Sequence, residues 1–180
     1  VKQTTKQRLL DEHGDKFSHC DIEIVASFKD VCEASDVKNV INPKIMSYDI
    51  ECISGDSTGN TFPNPELSTD QIICISATVA YFKDDIEKWK VYCLVNESGG
   101  KKCPDIDDGS EIRRYKSEKE LIIGWGEFIR EMDPDIITGY NTLSFDDNYV
   151  AKRADENHCW NEFSNMGRIM DKKSSVAELK

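Results

Sequence analysis

Three acidic side chains carry the chemistry that this sequence offers. Asp49 and Glu51 stand at i and i+2 in Ser47-Tyr48-Asp49-Ile50-Glu51-Cys52, and Asp146 closes the run Asn141-Thr142-Leu143-Ser144-Phe145-Asp146. In a β-strand an i, i+2 spacing sends both side chains to one face. Asp146 lies just beyond a second apolar run, where a strand would hand over to a helix. Three carboxylates at one sheet edge make the ligand set of a Mg²⁺ or Mn²⁺ site for phosphoryl chemistry.

Each group also has a plainer reading. An acid pair in a strand is often a charge that protects a sheet edge. Asp146 also reads as a first-turn acid complementing a helix dipole, Asn141 as a turn residue and Phe145 as a core ring. Two features weigh against the plain readings. Met46, Tyr48, Ile50 and Cys52 form an apolar face opposite Ser47, Asp49 and Glu51, so the strand reads as central. A central strand holds unpaired carboxylates only at a cost in desolvation.

The elements that must position these acids follow from periodicity. Alternation predicts a strand over residues 22–28 and another from about Ile45 to Cys52. Residues 71–80 are nearly all apolar or β-branched, which predicts a central strand covered on both faces. A turn at Asp84-Asp85 and a third strand over 89–95 complete a meander. Ser117 and Glu120 have the spacing of a capping box. Behind them Leu121, Ile122, Trp125, Phe128, Ile129 and Met132 recur at helical spacing until Pro134, predicting a helix laid on the sheet. Residues 136–140 predict a short buried strand, and 146–157 a helix with Tyr149, Val150 and Ala154 inward. A short helix is expected around residues 6–12, and polar insertions over 53–70 and 96–109. The fold class is α/β: a mixed sheet with flanking helices.

Charge and cysteines narrow the setting. The chain has 180 residues and a formal net charge of −11, the wrong sign for a free-standing nucleic-acid binder. If the chain works on DNA, bound cations or a further basic segment must supply the attraction. The seven cysteines are odd in number, scattered and never in a C-x-x-C pair, which predicts reduced thiols of an intracellular protein. No run has the length of a membrane span or the form of a signal peptide, so no membrane partner is expected. The pairs His19-Cys20 and His158-Cys159 lack zinc-ligand spacing, and residues 105–109 lack the distal Glu of a calcium loop. Without an initiating Met or a closing signal, the chain reads as a piece of something longer.

The two acidic motifs resemble those of the 3′→5′ exonuclease domain of family B DNA polymerases. Tyr48-Asp49-Ile50-Glu51-Cys52 is similar to the family's first exonuclease motif, and residues 133–154, with Asn141, Phe145 and Asp146, to its second. Phe62-Pro63-Asn64-Pro65-Glu66 before Asp70-Gln71-Ile72-Ile73-Cys74-Ile75 is similar to the link into its second strand. Residues 22–31 resemble the segment ahead of the domain, and Gly167-Arg168 a recurrent dipeptide after the second motif. The likeness covers roughly residues 20–170 and is greatest to eukaryotic delta-type and large-DNA-virus polymerases.

The resemblance implies a ribonuclease-H-like sheet with flanking helices over 43–180, preceded by the end of an N-terminal domain over 1–42. It implies two divalent ions, Mg²⁺ or Mn²⁺, with Asp49 bridging both, Glu51 on the water-activating ion and Asp146 chiefly on the other. It implies that Asn141 and Phe145 position the 3′ end of single-stranded or mismatched DNA for hydrolysis of its terminal phosphodiester. The implied partners are DNA and the rest of a polymerase chain, with a sliding clamp or accessory subunits open. The implied location is the nucleus for a delta-type enzyme, or a viral replication site. The family's third motif, Tyr-x-x-x-Asp, has no counterpart after Asp146. The chain is therefore expected to stop before it and, alone, to bind metal poorly and cleave slowly. Two other readings stay open: a non-catalytic module of the same fold that guides single-stranded DNA, and a stand-alone nuclease.

Overall fold

The computed structural model describes residues 17–20, 22–24, 26–33, 38, 41–58, 60–100 and 102–175. The helix expected around residues 6–12 lies outside them. A five-stranded mixed sheet in the order β4-β3-β2-β1-β5 forms the centre. Strands β1 (Lys44–Cys52), β2 (Ile72–Tyr81) and β3 (Lys90–Asn96) make the expected antiparallel meander. Strand β4 (Glu111–Tyr115) joins β3 in parallel, and β5 (Ile136–Thr138) joins β1 in parallel. Helix α1 (Glu118–Met132) carries the chain from one sheet edge to the other, and α2 (Asp146–Glu156) and α3 (Trp160–Phe163) follow β5.

Period-two patterning orients β1. Met46, Tyr48 and Ile50 are buried, while Ser47, Asp49 and Glu51 are exposed. The buried face receives α1, whose Trp125 ring lies 5.0 Å from Tyr48 and whose Phe128 ring lies 4.9 Å from Tyr92. Truncating a buried aromatic in such a cluster costs about 3–5 kcal/mol. Helix α1 starts as its sequence predicts. The Ser117 Oγ accepts from Glu120 N–H at 3.2 Å, and Glu120 Oε2 accepts from Lys116 N–H at 3.0 Å. It ends where Asp133 turns left-handed (φ 44°) ahead of Pro134.

Several expectations fail for one physical reason: a strand pattern is realised only where a partner edge or covering face exists. Residues 22–28 take no strand among the described residues. Ile22, Ile24 and Phe28 are 73%, 57% and 81% exposed, and a single 3-10 turn spans Phe28–Asp30. Strand β2 is central but buried on one face only, since Ile73 and Ser76 are exposed. Strand β5 is an edge strand with Ile136 and Ile137 exposed, not a buried one. Strand β4 formed just after the polar insertion at 96–109, where no element was expected. Its residues are mostly charged, and its place comes from Arg113 lying 4.9 Å over the Phe128 ring and pairing with Glu131.

Candidate active site

Strand β1 loses its parallel partner after Ser47, because β5 matches only Ile45, Met46 and Ser47. The free edge beyond is occupied by the loop that leaves β5. Gly139 passes so close that an added Cβ would meet the Tyr48 carbonyl oxygen at 2.4 Å. Only glycine permits that approach. Asn141 then turns left-handed (φ 59°), and its carbonyl accepts from the N–H groups of Ser144 at 3.0 Å and Phe145 at 3.1 Å. This tight turn starts α2 and delivers Asp146 back to β1. The Asp146 Oδ1 accepts from the Ile50 N–H at 3.1 Å, and the side chain is 2% exposed.

Ile50 is the residue between Asp49 and Glu51. The structure thus sets a buried carboxylate against the strand edge at the step between two exposed ones. Opposite on β2, Asp49 faces Ser76 and Glu51 faces Cys74, with a register shift between Glu51 and Cys52. Bulges of this kind re-aim side chains beside sites. Burial raises the Asp146 carboxyl above its ordinary value, the Ile50 N–H opposes the rise, and the Asp49 and Asp147 charges add to it. The neighbouring Tyr48 hydroxyl donates to Asp147, and burial with that acceptor keeps the phenol protonated.

The donor set suits a hard, oxygen-liganded cation. Ion pairs among the described residues are made by Arg113, Arg114, Lys152, Arg153 and Arg168, and none reaches Asp49 or Glu51. Yet no group of three acidic, histidine or cysteine side chains among the described residues is gathered closely enough to hold a metal ion. The chemistry fits; the three carboxylates alone do not form a closed cage.

Aromatic side chains lie beside Asp146 along the chain. Phe145 packs on Tyr149 at 5.3 Å and meets Phe62 edge-on at 5.3 Å, while Phe62, Tyr140 and Leu143 are 72%, 92% and 72% exposed. Asn141 is also exposed. Sequence reasoning noted Phe62 only as part of a link. Its signal was an aromatic residue placed inside a polar insertion that opens directly after Cys52.

The profile of the family described as "DNA polymerase family B, exonuclease domain" matches residues 7–179. The chain belongs to this family. It is 36% identical over 138 residues to a DNA polymerase of Acanthamoeba polyphaga mimivirus, covering 77% of this chain and 7% of that protein. It is 35% identical over 176 residues to the DNA polymerase delta catalytic subunit of Caenorhabditis elegans, covering 96% of this chain and 15% of that protein. A DNA polymerase catalytic subunit of elephantid herpesvirus 1 is 36% identical over 153 residues, covering 85% of this chain and 13% of the viral one. The chain therefore spans a small part, 7–15%, of the length of the relatives it matches.

All seven cysteines are free thiols, and burial pushes Cys52 and Cys74 up to about 12 and Cys159 up to about 11. Such thiols pack as small apolar groups rather than act as nucleophiles. No helix among the described residues is long and apolar enough to cross a membrane.

Proposed function

We propose that this segment is the proofreading 3′→5′ exonuclease of a family B DNA polymerase, removing the terminal nucleotide of a single-stranded or mismatched 3′ end. The observation that carries this reading is the set of three carboxylates where β1 runs past the end of β5: Asp49 and Glu51 without an ion pair among the described residues, Asp146 bonded to the amide between them. Asp49, Glu51 and Asp146 would hold Mg²⁺ or Mn²⁺, and when bound the ions neutralise the scissile phosphate and make water nucleophilic at neutral pH. The open arrangement of the three suits a site that takes a further carboxylate from elsewhere in a polymerase. In the same reading residues 1–42 end a preceding domain and 43–180 form the nuclease segment.

The chain's own residues grip and orient the strand. Phe62 and Phe145 offer ring edges and faces to an unstacked base, and Asn141 offers amide donors and an acceptor to the sugar-phosphate end. A duplex end must fray to enter, so mismatched termini enter more readily than paired ones. The strongly negative chain repels DNA without the cations, which makes binding at this site depend on divalent metal.

The test is release of the 3′ nucleotide from a 5′-labelled single strand by the intact polymerase, with and without Asp49→Ala. Removal of a group stabilising transition-state charge lowers rate by about 10²–10³-fold, with nucleotide addition retained. Full nuclease activity in Asp49→Ala would sink the proposal. The open carboxylate arrangement favours a second reading, a module of this fold that guides single-stranded DNA. Tight single-strand binding without metal-dependent cleavage by the intact protein would establish it.

A further inference from the structure

Helix α2 does more than present Asp146. Asp146, Tyr149 and Arg153 stand at i, i+3 and i+7, so one helix face carries all three. The Tyr149 hydroxyl donates to the Asp70 carbonyl at 2.9 Å. Arg153 Nη1 donates to the carbonyls of Pro65 at 3.0 Å and Leu67 at 2.8 Å. Its Nε donates to Glu118 Oε1 at 2.8 Å, and its Nη2 donates to Glu118 Oε2. Glu118 further accepts from the Ile72 N–H at 2.8 Å and the Asn157 side-chain amide at 2.8 Å. Both members of the ion pair are buried, at 3% and 2% side-chain exposure.

The segment held by this pair is the one that bears Phe62. From the other side Asp70 closes it, accepting from the N–H groups of Gly55 at 2.8 Å and Asn64 at 2.9 Å. Phe62 is left exposed, with its ring 5.3 Å from Phe145, the residue immediately before Asp146.

We infer that the Glu118–Arg153 pair is a positioning clasp that holds the 62–70 segment on α2, so that Phe62 stands against Phe145, beside Asp146, where a 3′ end would be gripped. The inference rests on the nuclease reading above and deepens it. Arg153 touches no reacting atom; it acts through the backbone of Pro65 and Leu67. The geometry requires arginine. One planar fork satisfies both oxygens of Glu118 and still reaches two carbonyls, which the single ammonium of lysine does not do. The clasp therefore governs how well a frayed end is gripped, not the rate once it is bound.

The experiment uses the intact polymerase carrying Arg153→Lys, Phe62→Ala or both. The dissociation constant for a single strand with a fluorescent base analogue at its 3′ end is read beside KM and kcat for excision. Arg153→Lys is expected to raise both Kd and KM about tenfold, within the range of one lost base–aromatic stack, and to change kcat about twofold or less. In the Phe62→Ala background the same lysine substitution is expected to add nothing. An unchanged Kd, an additive double variant, or a loss confined to kcat overturns the clasp. Where Arg153→Lys compromises folding, the neutral pair Glu118→Gln with Arg153→Met carries the same comparison, because it leaves no buried charge unpaired. If Asp49→Ala keeps full excision, the nuclease reading fails, and the Kd arm still decides the clasp by itself.

Discussion

Glu118 on helix α1 and Asp49 on strand β1 are both carboxylates, and the fold treats them in opposite ways. Glu118 sits at the first position of α1, buried, with both oxygens taken by Arg153, Asn157 and the first amide of β2. Asp49 stands exposed on the outer face of β1, with Glu51 two residues on and no cation beside either among the described residues. A buried charge survives only when fully partnered, so Glu118 belongs to the fold. Two like charges side by side without partners contribute nothing to stability, and their placement is explained by what binds between them. Asp146 stands between the cases: buried like Glu118, yet with an amide rather than a cation at its oxygen.

The sharpest way to break this comparison is to remove each carboxylate and read stability. Glu118→Ala leaves the Arg153 charge buried without its partner and is expected to cost about 3–5 kcal/mol. Asp49→Asn and Glu51→Gln are expected to leave stability within about 0.5 kcal/mol or to raise it, while excision falls. Thermal unfolding of the three variants under one buffer checks both. Equal losses in melting temperature would erase the distinction between a fold carboxylate and a site carboxylate.

Gly139 joins the two regimes, because it lets the chain leave β5 close enough to bring Asp146 to Ile50. A Cβ there would meet the Tyr48 carbonyl and Thr142 Cγ2, each at 2.4 Å. Gly139→Ala is expected to cost about 1–3 kcal/mol, the usual range for overpacking, and to lower excision with it. Loss of stability with unchanged excision would mean that the Asp146–Ile50 contact is not what activity requires.

What the sequence showed and what it hid divide along the same line. The faces of β1, the meander and the cap of α1 were legible because period and local hydrogen bonding determine them within a few residues. So were Asp49, Glu51 and Asp146 as candidates. The partnership of Glu118 with Arg153 was not legible: the two are 35 residues apart in the chain, and neither the capping box around Glu118 nor the motif around Arg153 points to the other. Strand β4 was hidden because Glu111, Arg113 and Arg114 give it a charged sequence, and Arg113 finds a ring to cover only once Phe128 is placed. Residues 22–28 misled in the other direction, since alternation states what a strand would bury but not whether anything is there to bury it against. Phe62 fell between, visible as an aromatic but without a role until Phe145 was placed beside it.

The gentlest probe of the comparison is pH, acting on the acid that closes the Phe62 segment. Asp70 is 2% exposed, and the N–H groups of Asn64 and Gly55, with the Thr69 hydroxyl, hold its carboxyl below the ordinary aspartate value. Its folded value is thus depressed relative to the unfolded chain, whose aspartates titrate near about 3.9. Above that value Asp70 is ionised in both states and its contribution to stability is fully present. As pH falls below it the unfolded chain takes up the proton first, so stability declines until the folded value is passed and the contribution is gone. Asp70→Asn removes the charge at every pH while keeping one acceptor. The stability gap between wild type and Asp70→Asn should therefore be constant from pH 7 to about 5 and close on further acidification. Denaturant unfolding at a series of pH values measures it. A gap that stays open down to about pH 2 would assign the closure of this segment to the shape of the Asp70 side chain instead of its charge. Glu118 with Arg153 would then be left as the ionic hold on Phe62.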